Sequence, residues 1–308
     1  MTLPAEKKPT LADWGGYIAM RTLRACVLGL GIRRGVALSG WCWKMIAPLT
    51  KRQARALSQM AAAMPELSAQ ERDRNVRAMW QGLGETFAEG LILDRLMELD
   101  GVVSIEGADL FHQATNADTP TTGMVIISMH SGNWEVLGLG ARDIGLEAAA
   151  LYQTVANPLV DRKLRDTRSH YWKAGLISKG SHAIKRTVGL LRAGKGVGIM
   201  ADQRQAGGLS VPFFGHPAPS TPLPASLALR TGSRLIACRA KRMGTCRYVL
   251  EVKELPVTQT LDRDADIERL LIAIHAQFEA WIRERPHEWM WAHRRWSREV
   301  LTASPGME

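Results

Sequence analysis

Cysteine is scarce in this sequence, and its spacing argues against covalent or metal cross-links. The four cysteines among 308 residues form no Cys-x-x-Cys pair, and none has a histidine at zinc-site spacing. Disulfide-held secreted domains and structural zinc modules both depend on such closely spaced side chains. We therefore expect neither class and no bound metal, and the pattern is consistent with a reducing compartment.

Long hydrophobic runs are also missing from the N-terminal region. Its uncharged stretches, 25–32 and 35–43, are separated by Arg33 and Arg34. A membrane-spanning helix needs about 20 apolar residues in succession, and a secretory signal needs a compact apolar core. The sequence therefore predicts neither of these in its usual form, although a weak span with snorkelling arginines stays open.

Positive charge and tryptophan are abundant instead. Lys and Arg number 40 against 30 Asp and Glu, which gives a net charge of +10, and there are 10 tryptophans. Such a balance implies an anionic partner, and tryptophan favours membrane interfaces over nucleic acid. Trp14, Trp41 and Trp43 lie among arginines, a pattern that favours an anchor at an anionic membrane surface over a soluble amphipathic helix. No motif for reading nucleic acid accompanies the basic clusters, so no nucleic-acid partner is expected.

Hydrophobic periodicity predicts two parts of the chain. Residues 52–64 are rich in alanine with no helix breaker before Pro65, and residues 70–99 have the three-and-four spacing of an amphipathic helix. From residue 100 to 285, short apolar strands alternate with helices, and residues 209–224 form a Pro/Gly-rich loop. This alternation is typical of an α/β fold, a mixed central sheet flanked by helices. We expect residues 1–99 to be a helical, membrane-facing lead-in and 100–308 to be one continuous α/β body.

The most informative segment is 126–135, where a histidine directly follows a buried apolar strand. His130 would lie at the carboxyl end of that strand, where open α/β sheets bind ligands. Glu135, five residues later, is placed to reach back to the imidazole if a helix begins there, which would make His130 a base. No serine or cysteine nucleophile motif is present, so direct acyl transfer fits better than an acyl-enzyme. The alternative is a packed or capping histidine with a helix-terminal charge.

The segment His-Ser-Gly-Asn-Trp-Glu at 130–135 resembles the His-x4-Asp/Glu motif of the bacterial lipid A late acyltransferases, within the glycerolipid acyltransferase superfamily. Further blocks agree in order: Tyr152 to Leu159 with downstream arginines, Asp202-Gln203 followed by Val-Pro-Phe-Phe-Gly at 211–215, and Pro-His-Glu-Trp-Met-Trp-Ala-His-Arg-Arg-Trp at 286–296. The resemblance covers nearly the whole chain. It departs at 216–221, where extra prolines precede Thr221.

The resemblance implies a fold, a reaction and a set of residues. His130 would deprotonate an acceptor hydroxyl, Glu135 would orient His130, and the hydroxyl would attack an acyl thioester on acyl carrier protein. Arg165 or Arg168 would bind acceptor phosphate or stabilise negative charge, although either is also compatible with an exposed helix charge. Asp202 and Asn133 complete the expected substrate-binding set, although a turn or structural salt bridge would also explain Asp202.

The implied setting is the cytoplasmic face of the inner membrane, with a lipid A precursor, acyl carrier protein and an anionic membrane surface as partners. No cofactor is expected, because the acyl thioester is a co-substrate. Two alternatives stay open. One is an acyltransferase of a lysophospholipid or amino-lipid acceptor, and the other is a non-catalytic membrane-binding relative.

Overall fold

The computed structural model describes residues 8–111, 123–178, 180 and 182–302. The helices are α1 (Leu11–Gly29), α2 (Ile32–Ile46), α3 (Lys51–Ala63), α4 (Ala69–Leu91), α5 (Leu93–Leu96), α6 (Leu137–Asp143), α7 (Pro158–Ser169), α8 (Ala183–Arg192), α9 (Leu223–Thr231), α10 (Arg263–Glu284) and α11 (Arg298–Thr302). The strands are β1 (Val103–Glu106), β2 (Met124–Ser128), β3 (Ala148–Tyr152), β4 (Gly175–Ser178), β5 (Gly196–Met200), β6 (Leu209–Phe213), β7 (His216–Ser220), β8 (Arg234–Gly244) and β9 (Arg247–Leu255).

A seven-stranded sheet is the centre of the fold, in the order β1-β9-β8-β2-β5-β3-β4. Every neighbouring pair is parallel except the hairpin β8–β9. Apolar residues cover both faces in two clusters, one with Val125 and Phe278 and the other with Ile236 and Tyr171. Burial on both faces explains why β2 is a continuous apolar run. The predicted mixed α/β sheet flanked by helices is confirmed.

The register between β2 and β5 decides where their following loops meet. Ser128, the last residue of β2, pairs with Met200, the last residue of β5. Because the two strands are parallel neighbours, the residues just beyond them emerge side by side. His130 and Asp202 are each two residues past this pair, so the sheet brings them to the same edge.

Helices α1 and α4 begin where the sequence supplies capping boxes, and α2 packs on α4 where the sequence supplies small residues. Thr10 and Ser68 each form a capping box, with Asp13 and Glu71 respectively. A Cβ added at Gly84 would lie 2.6 Å from the Cβ of Trp43, so glycine is what allows α2 and α4 to approach closely. No helix in the described ranges is long and apolar enough to cross a bilayer.

Two expectations about local structure were wrong. The predicted loop 209–224 is an antiparallel hairpin of β6 and β7, whose prolines at 212, 217 and 219 lie in strands that pair only with each other. Proline is tolerated at such sheet edges, which is why its presence did not exclude strands. Strand β4 (Gly175–Ser178), at the edge of the main sheet, is too short to show a period and was missed.

The chain near its C-terminus is fastened to α3 by one buried side chain. Gln59 is fully buried, and its amide donates to the carbonyls of Trp291, at 2.6 Å, and of His293. The Gln59 carbonyl accepts from the backbone N–H of Arg295 at 2.6 Å. These bonds hold the Trp-rich segment 289–296 against the body, beside the edge that carries His130.

Candidate active site

The loop after β2 is shaped by a glycine that no other residue can replace. Gly132 has a φ of +58°, and a Cβ there would lie 1.9 Å from the carbonyl oxygen of Ala240. The Gly132 N–H donates to the carbonyl of Glu288 at 3.1 Å. The Gly132 carbonyl accepts from the Thr86 hydroxyl at 2.9 Å. The loop is therefore fixed by contacts from three different parts of the chain.

His130 is paired with Asp202. The imidazole Nδ1 lies 2.8 Å from Oδ1 of Asp202, whose Oδ2 accepts from the backbone N–H of His130 at 2.9 Å. Burial by itself lowers the pKa of His130, but the charge and hydrogen bond of Asp202 outweigh it, so the pKa is raised above its usual value of 6.5. Burial by itself raises the pKa of Asp202, but the pairing with His130 lowers it by more. The net pKa is therefore below its usual value, and Asp202 stays a carboxylate. The pair fixes the tautomer that leaves Nε2 as an acceptor.

Glu135 does not take the expected place beside the imidazole. Its two carboxylate oxygens accept from the guanidinium of Arg168, at 3.0 Å from Nε and 2.5 Å from Nη2. The segment 134–136 is a 3-10 turn that precedes α6, so Glu135 is directed toward α7 rather than back to His130. The expectation that Glu135 bonds to His130 is therefore corrected: Asp202 fills that position, and Glu135 contributes a nearby negative charge.

Two other predicted substrate-binding residues are placed differently. Asn133 is fully buried, its amide nitrogen donates to Glu89 at 2.9 Å, and its oxygen accepts from the N–H of Glu135 at 3.0 Å. Both ends of this amide are therefore engaged within the protein, and Asn133 is not among the residues that line the cavity described below. Arg165 is partly exposed, and its Nε lies 3.4 Å from Oδ2 of Asp161 on the same helix. It does not line the cavity described next. Of the two arginines, Arg168 is the one at the site.

A cavity of about 700 Å³ opens beside His130 and continues over one face of the sheet. Its floor includes a row of paired residues across four strands: Leu176, Ala150, Gly198 and Ile126. The small side chains in the middle of this row leave room that larger ones would occupy. The far lining is apolar, with Ile105, Phe111, Leu146, Leu250 and Val252. This volume is in the range of ligand pockets, and its lining suits a hydrocarbon chain.

Polar side chains gather at the end of the cavity nearest His130. They are Glu135, Gln153, Arg168, Gln203, Arg204 and Gln205. The Gln203 amide nitrogen lies 3.4 Å from His130 Nε2, on the side away from Asp202. In the sequence, Gln203 stands out only as part of the Asp202-Gln203 block, which predicts no role for it. The available signal was its position directly after Asp202, at the end of a predicted strand.

This arrangement supports base catalysis next to an apolar chain. An imidazole oriented by a buried carboxylate is able to take a proton at Nε2, and the adjacent cavity is able to hold a long apolar group. Arg168 adds positive charge at the polar end. Among the described residues no group of three or more metal-ligating side chains is present.

Comparison with known proteins agrees with the chemistry of the site. A family model described as bacterial lipid A biosynthesis acyltransferase matches residues 7–298, nearly the full 308. A search of curated proteins gave no match. The match includes His130, Asp202, Arg168 and the whole sheet that carries them, so the chain belongs to the bacterial lipid A biosynthesis acyltransferase family and is an acyltransferase enzyme.

Proposed function

We propose that this enzyme moves an acyl chain from an acyl carrier protein thioester to a hydroxyl of a lipid A precursor. His130 is the general base and Asp202 is the carboxylate that orients it. The family supports acyl transfer in lipid A synthesis, while the donor and the residue roles are our inference. One observation carries the proposal: His130 lies at the mouth of an apolar cavity with Nδ1 on Asp202.

The chemical steps follow from that geometry. His130 Nε2 removes the proton of the acceptor hydroxyl as the oxygen attacks the thioester carbonyl carbon. The resulting tetrahedral oxyanion collapses, the carbon–sulfur bond breaks, and the thiolate leaves. The imidazolium returns its proton to the departing sulfur, so the products are an ester and a free thiol. Asp202 stabilises the imidazolium by its charge and stays ionised throughout.

Arg168 has a separate task at the same mouth. Its side chain is only 18% exposed, and its pairing with Glu135 uses Nε and Nη2. Five N–H donors belong to a guanidinium, so donors are left for a ligand. We assign Arg168 to an anionic group of the reaction, either the thioester oxyanion or an acceptor phosphate, with Glu135 holding the guanidinium in place.

The test is an acyl-transfer assay followed by mass spectrometry. Purified enzyme in detergent receives a Kdo-bearing lipid A precursor and matched acyl thioesters of acyl carrier protein and coenzyme A. We expect the precursor to gain one acyl group from the carrier protein donor, and faster than from coenzyme A. Equal use of coenzyme A would overturn the donor assignment, and transfer only to a lysophospholipid or amino-lipid would overturn the acceptor.

The row of small residues on the cavity floor gives a prediction about chain length. A Cβ at Gly198 would lie 3.1 Å from the Trp172 ring, so Gly198→Val takes space from the cavity. We expect transfer of a tetradecanoyl chain to fall about tenfold relative to an octanoyl chain, because only the longer chain must pass this point. Competition between the two thioesters measures the ratio. Ile126→Leu, an isomeric change in the same row, is the control, and an equal loss with both chains would contradict the placement.

We also propose that helices α1 and α2 lie on the anionic surface of the membrane that contains the acceptor. Large apolar side chains are exposed on both helices: Leu11, Trp14, Ile18, Trp41, Met45 and Ile46. Exposed arginines, Arg21, Arg33 and Arg34, lie among them. Trp43 differs from this expectation, since it is half-buried and packs on Phe87 with ring centres 5.7 Å apart. Two of the three predicted interfacial tryptophans therefore support the proposal. We infer from the expected carrier-protein donor that this surface is the cytoplasmic face of the inner membrane.

Removing the exposed indoles tests this surface. We expect Trp14→Ser with Trp41→Ser to weaken binding to phosphatidylglycerol-containing vesicles about tenfold, because apolar area leaves the interface. Co-flotation with vesicles measures the partition. Leu261→Ser, which removes a fully exposed leucine elsewhere, is the matched control. Unchanged flotation of the double variant, or an equal loss in the control, would count against the surface.

A further inference from the structure

The Asp202 carboxylate accepts more hydrogen bonds than His130 alone provides. Oδ1 accepts from the imidazole, while Oδ2 accepts from the His130 backbone N–H and from the indole Nε1 of Trp289, both at 2.9 Å. Asp202 is 1% exposed and Trp289 is fully buried. Solvent therefore does not compete for these oxygens, and the protein itself sets the direction of the carboxylate.

Trp289 is attached to the same loop that it serves. Its backbone forms an antiparallel bridge with Ser131, and the next residue, Met290, donates its N–H to the carbonyl of His130 at 2.9 Å. The segment that presents the indole N–H is thus bonded directly to the segment that presents the imidazole. The spacing among Trp289, Asp202 and His130 is fixed by backbone bonds as well as by side chains.

The indole ring is also fixed by its neighbours. The Trp291 ring meets it edge-on, with ring centres 4.6 Å apart, and the Phe213 ring lies 5.8 Å away. Buried aromatic rings in such T-shaped packing hold a single orientation. The Nε1–H is therefore aimed at Asp202 before any substrate arrives.

We propose that Trp289 is a positioning residue that holds Asp202 in the orientation needed to align His130. This inference rests on the proposed function of the His130–Asp202 pair. The terminal torsion of an aspartate is broad, so a carboxylate held at one oxygen by few donors is able to turn. The indole bond at Oδ2 removes that freedom and leaves Oδ1 facing the imidazole. The segment 286–296 thereby contributes to the reaction without touching substrate.

A double-mutant cycle tests the proposal in the full-length enzyme. We expect Trp289→Phe to lower kcat by about ten- to thirtyfold with little change in KM, because a bond to a charged group is lost. In an Asp202→Asn background the same change should cost no more than about twofold, because the charged carboxylate that the indole positions is no longer there. Trp80→Phe is the matched control, since Trp80 is also buried but its indole N–H donates to Gln53, away from the cavity. We expect it to cost less than about threefold in either background.

The pH profile supplies a readout that packing alone would not move. The indole N–H offsets part of the negative charge of Asp202, so its removal leaves more of that charge to stabilise protonated His130. We expect the acid limb of kcat/KM to move to higher pH in Trp289→Phe and to stay in place in Trp80→Phe. If Trp289→Phe does not fold, benzothienylalanine at position 289 removes the donor and keeps the ring shape.

The possible results distinguish a failure of the positioning role of Trp289 from a failure of the proposed His130–Asp202 pair. Equal losses in the two tryptophan variants, or an undiminished loss in the Asp202→Asn background, would show that Trp289 acts only by packing. Full activity of Asp202→Asn by itself would instead refute the proposed catalytic pair. The second result is visible without any tryptophan variant, so the two failures are distinguishable.

Discussion

Replacing His130 by Gln is expected to lower kcat/KM for acyl transfer by about 10³- to 10⁴-fold. Glutamine keeps a polar side chain in the loop but cannot accept a proton at neutral pH, so the base contribution is lost. The variant should still bind vesicles, because helices α1 and α2 are unchanged. The transfer assay gives the first quantity and co-flotation the second. Retained transfer, or lost vesicle binding, would contradict the roles assigned to these two regions.

The control for this variant lies in another buried imidazole. His275 is 1% exposed, with its Nδ1 2.7 Å from the carbonyl of Pro212 and its Nε2 3.1 Å from the Ser220 hydroxyl. His275 does not line the cavity beside His130. His275→Gln removes an imidazole from the core without touching the site, so we expect any loss of kcat/KM per folded molecule to stay below about threefold.

Replacing Asp202 by Asn is expected to lower kcat/KM by about 10³-fold. An asparagine amide can donate to Nδ1, which would place the imidazole proton on Nε2, where it blocks proton acceptance. The side chain has the same size, so packing around Trp289 should persist. Kinetics of the folded variant measure the loss. Activity within about tenfold of the wild type would mean that Asp202 does not set the tautomer.

The pH dependence distinguishes Asp202 from Glu135. In the wild type the charge of Asp202 raises the pKa of His130 above its ordinary value, so we expect the acid limb of kcat/KM to be shifted to higher pH, with activity rising as the imidazole loses its proton. Without the Asp202 charge the pKa of His130 falls, and the limb of any residual activity moves to lower pH. Glu135→Gln is the comparison, because it removes a more distant charge. We expect a smaller shift of the limb, together with a loss of Arg168-dependent binding.

The motif 130–135 was readable from the sequence because its chemistry is local. A histidine after an apolar strand, followed by a glycine, predicts a loop at a ligand-binding edge, and the structure places His130 there. Gly132 is required by its positive φ and by the approach of Ala240. The alternating pattern of strands and helices likewise predicted the α/β sheet, since buried parallel strands leave a continuous apolar run in the sequence.

The partner of His130, by contrast, could not be predicted from the sequence. Proximity in sequence favoured Glu135, five residues away, over Asp202, which is 72 residues away. The choice depends on the sheet order, which places β2 beside β5 and aligns Ser128 with Met200. Nothing local to either strand encodes that adjacency.

Asn133 and Trp289 show the same division between sequence and structure. Asn133 was expected to bind substrate, yet the buried carboxylate of Glu89, from helix α4, takes its amide. The sequence assigns Trp289 no role beyond its place in the block 286–296, yet its indole N–H donates to Asp202 at 2.9 Å. In both cases a buried N–H group donates to a carboxylate that is remote in sequence, because buried polar atoms need hydrogen-bond partners.

The sequence by itself determined the alternation of strands and helices outside β4, β6 and β7, the glycine at position 132 and the histidine that would act as a base. These depend on periodicity and on local backbone geometry, which nearby residues set. Only the tertiary structure decided that Asp202 pairs with His130, that Glu135 pairs with Arg168, and that Gly198 and Ala150 lie on the floor of a cavity. Each of those contacts joins segments that meet through the order and register of parallel strands, and that order follows from packing the whole chain.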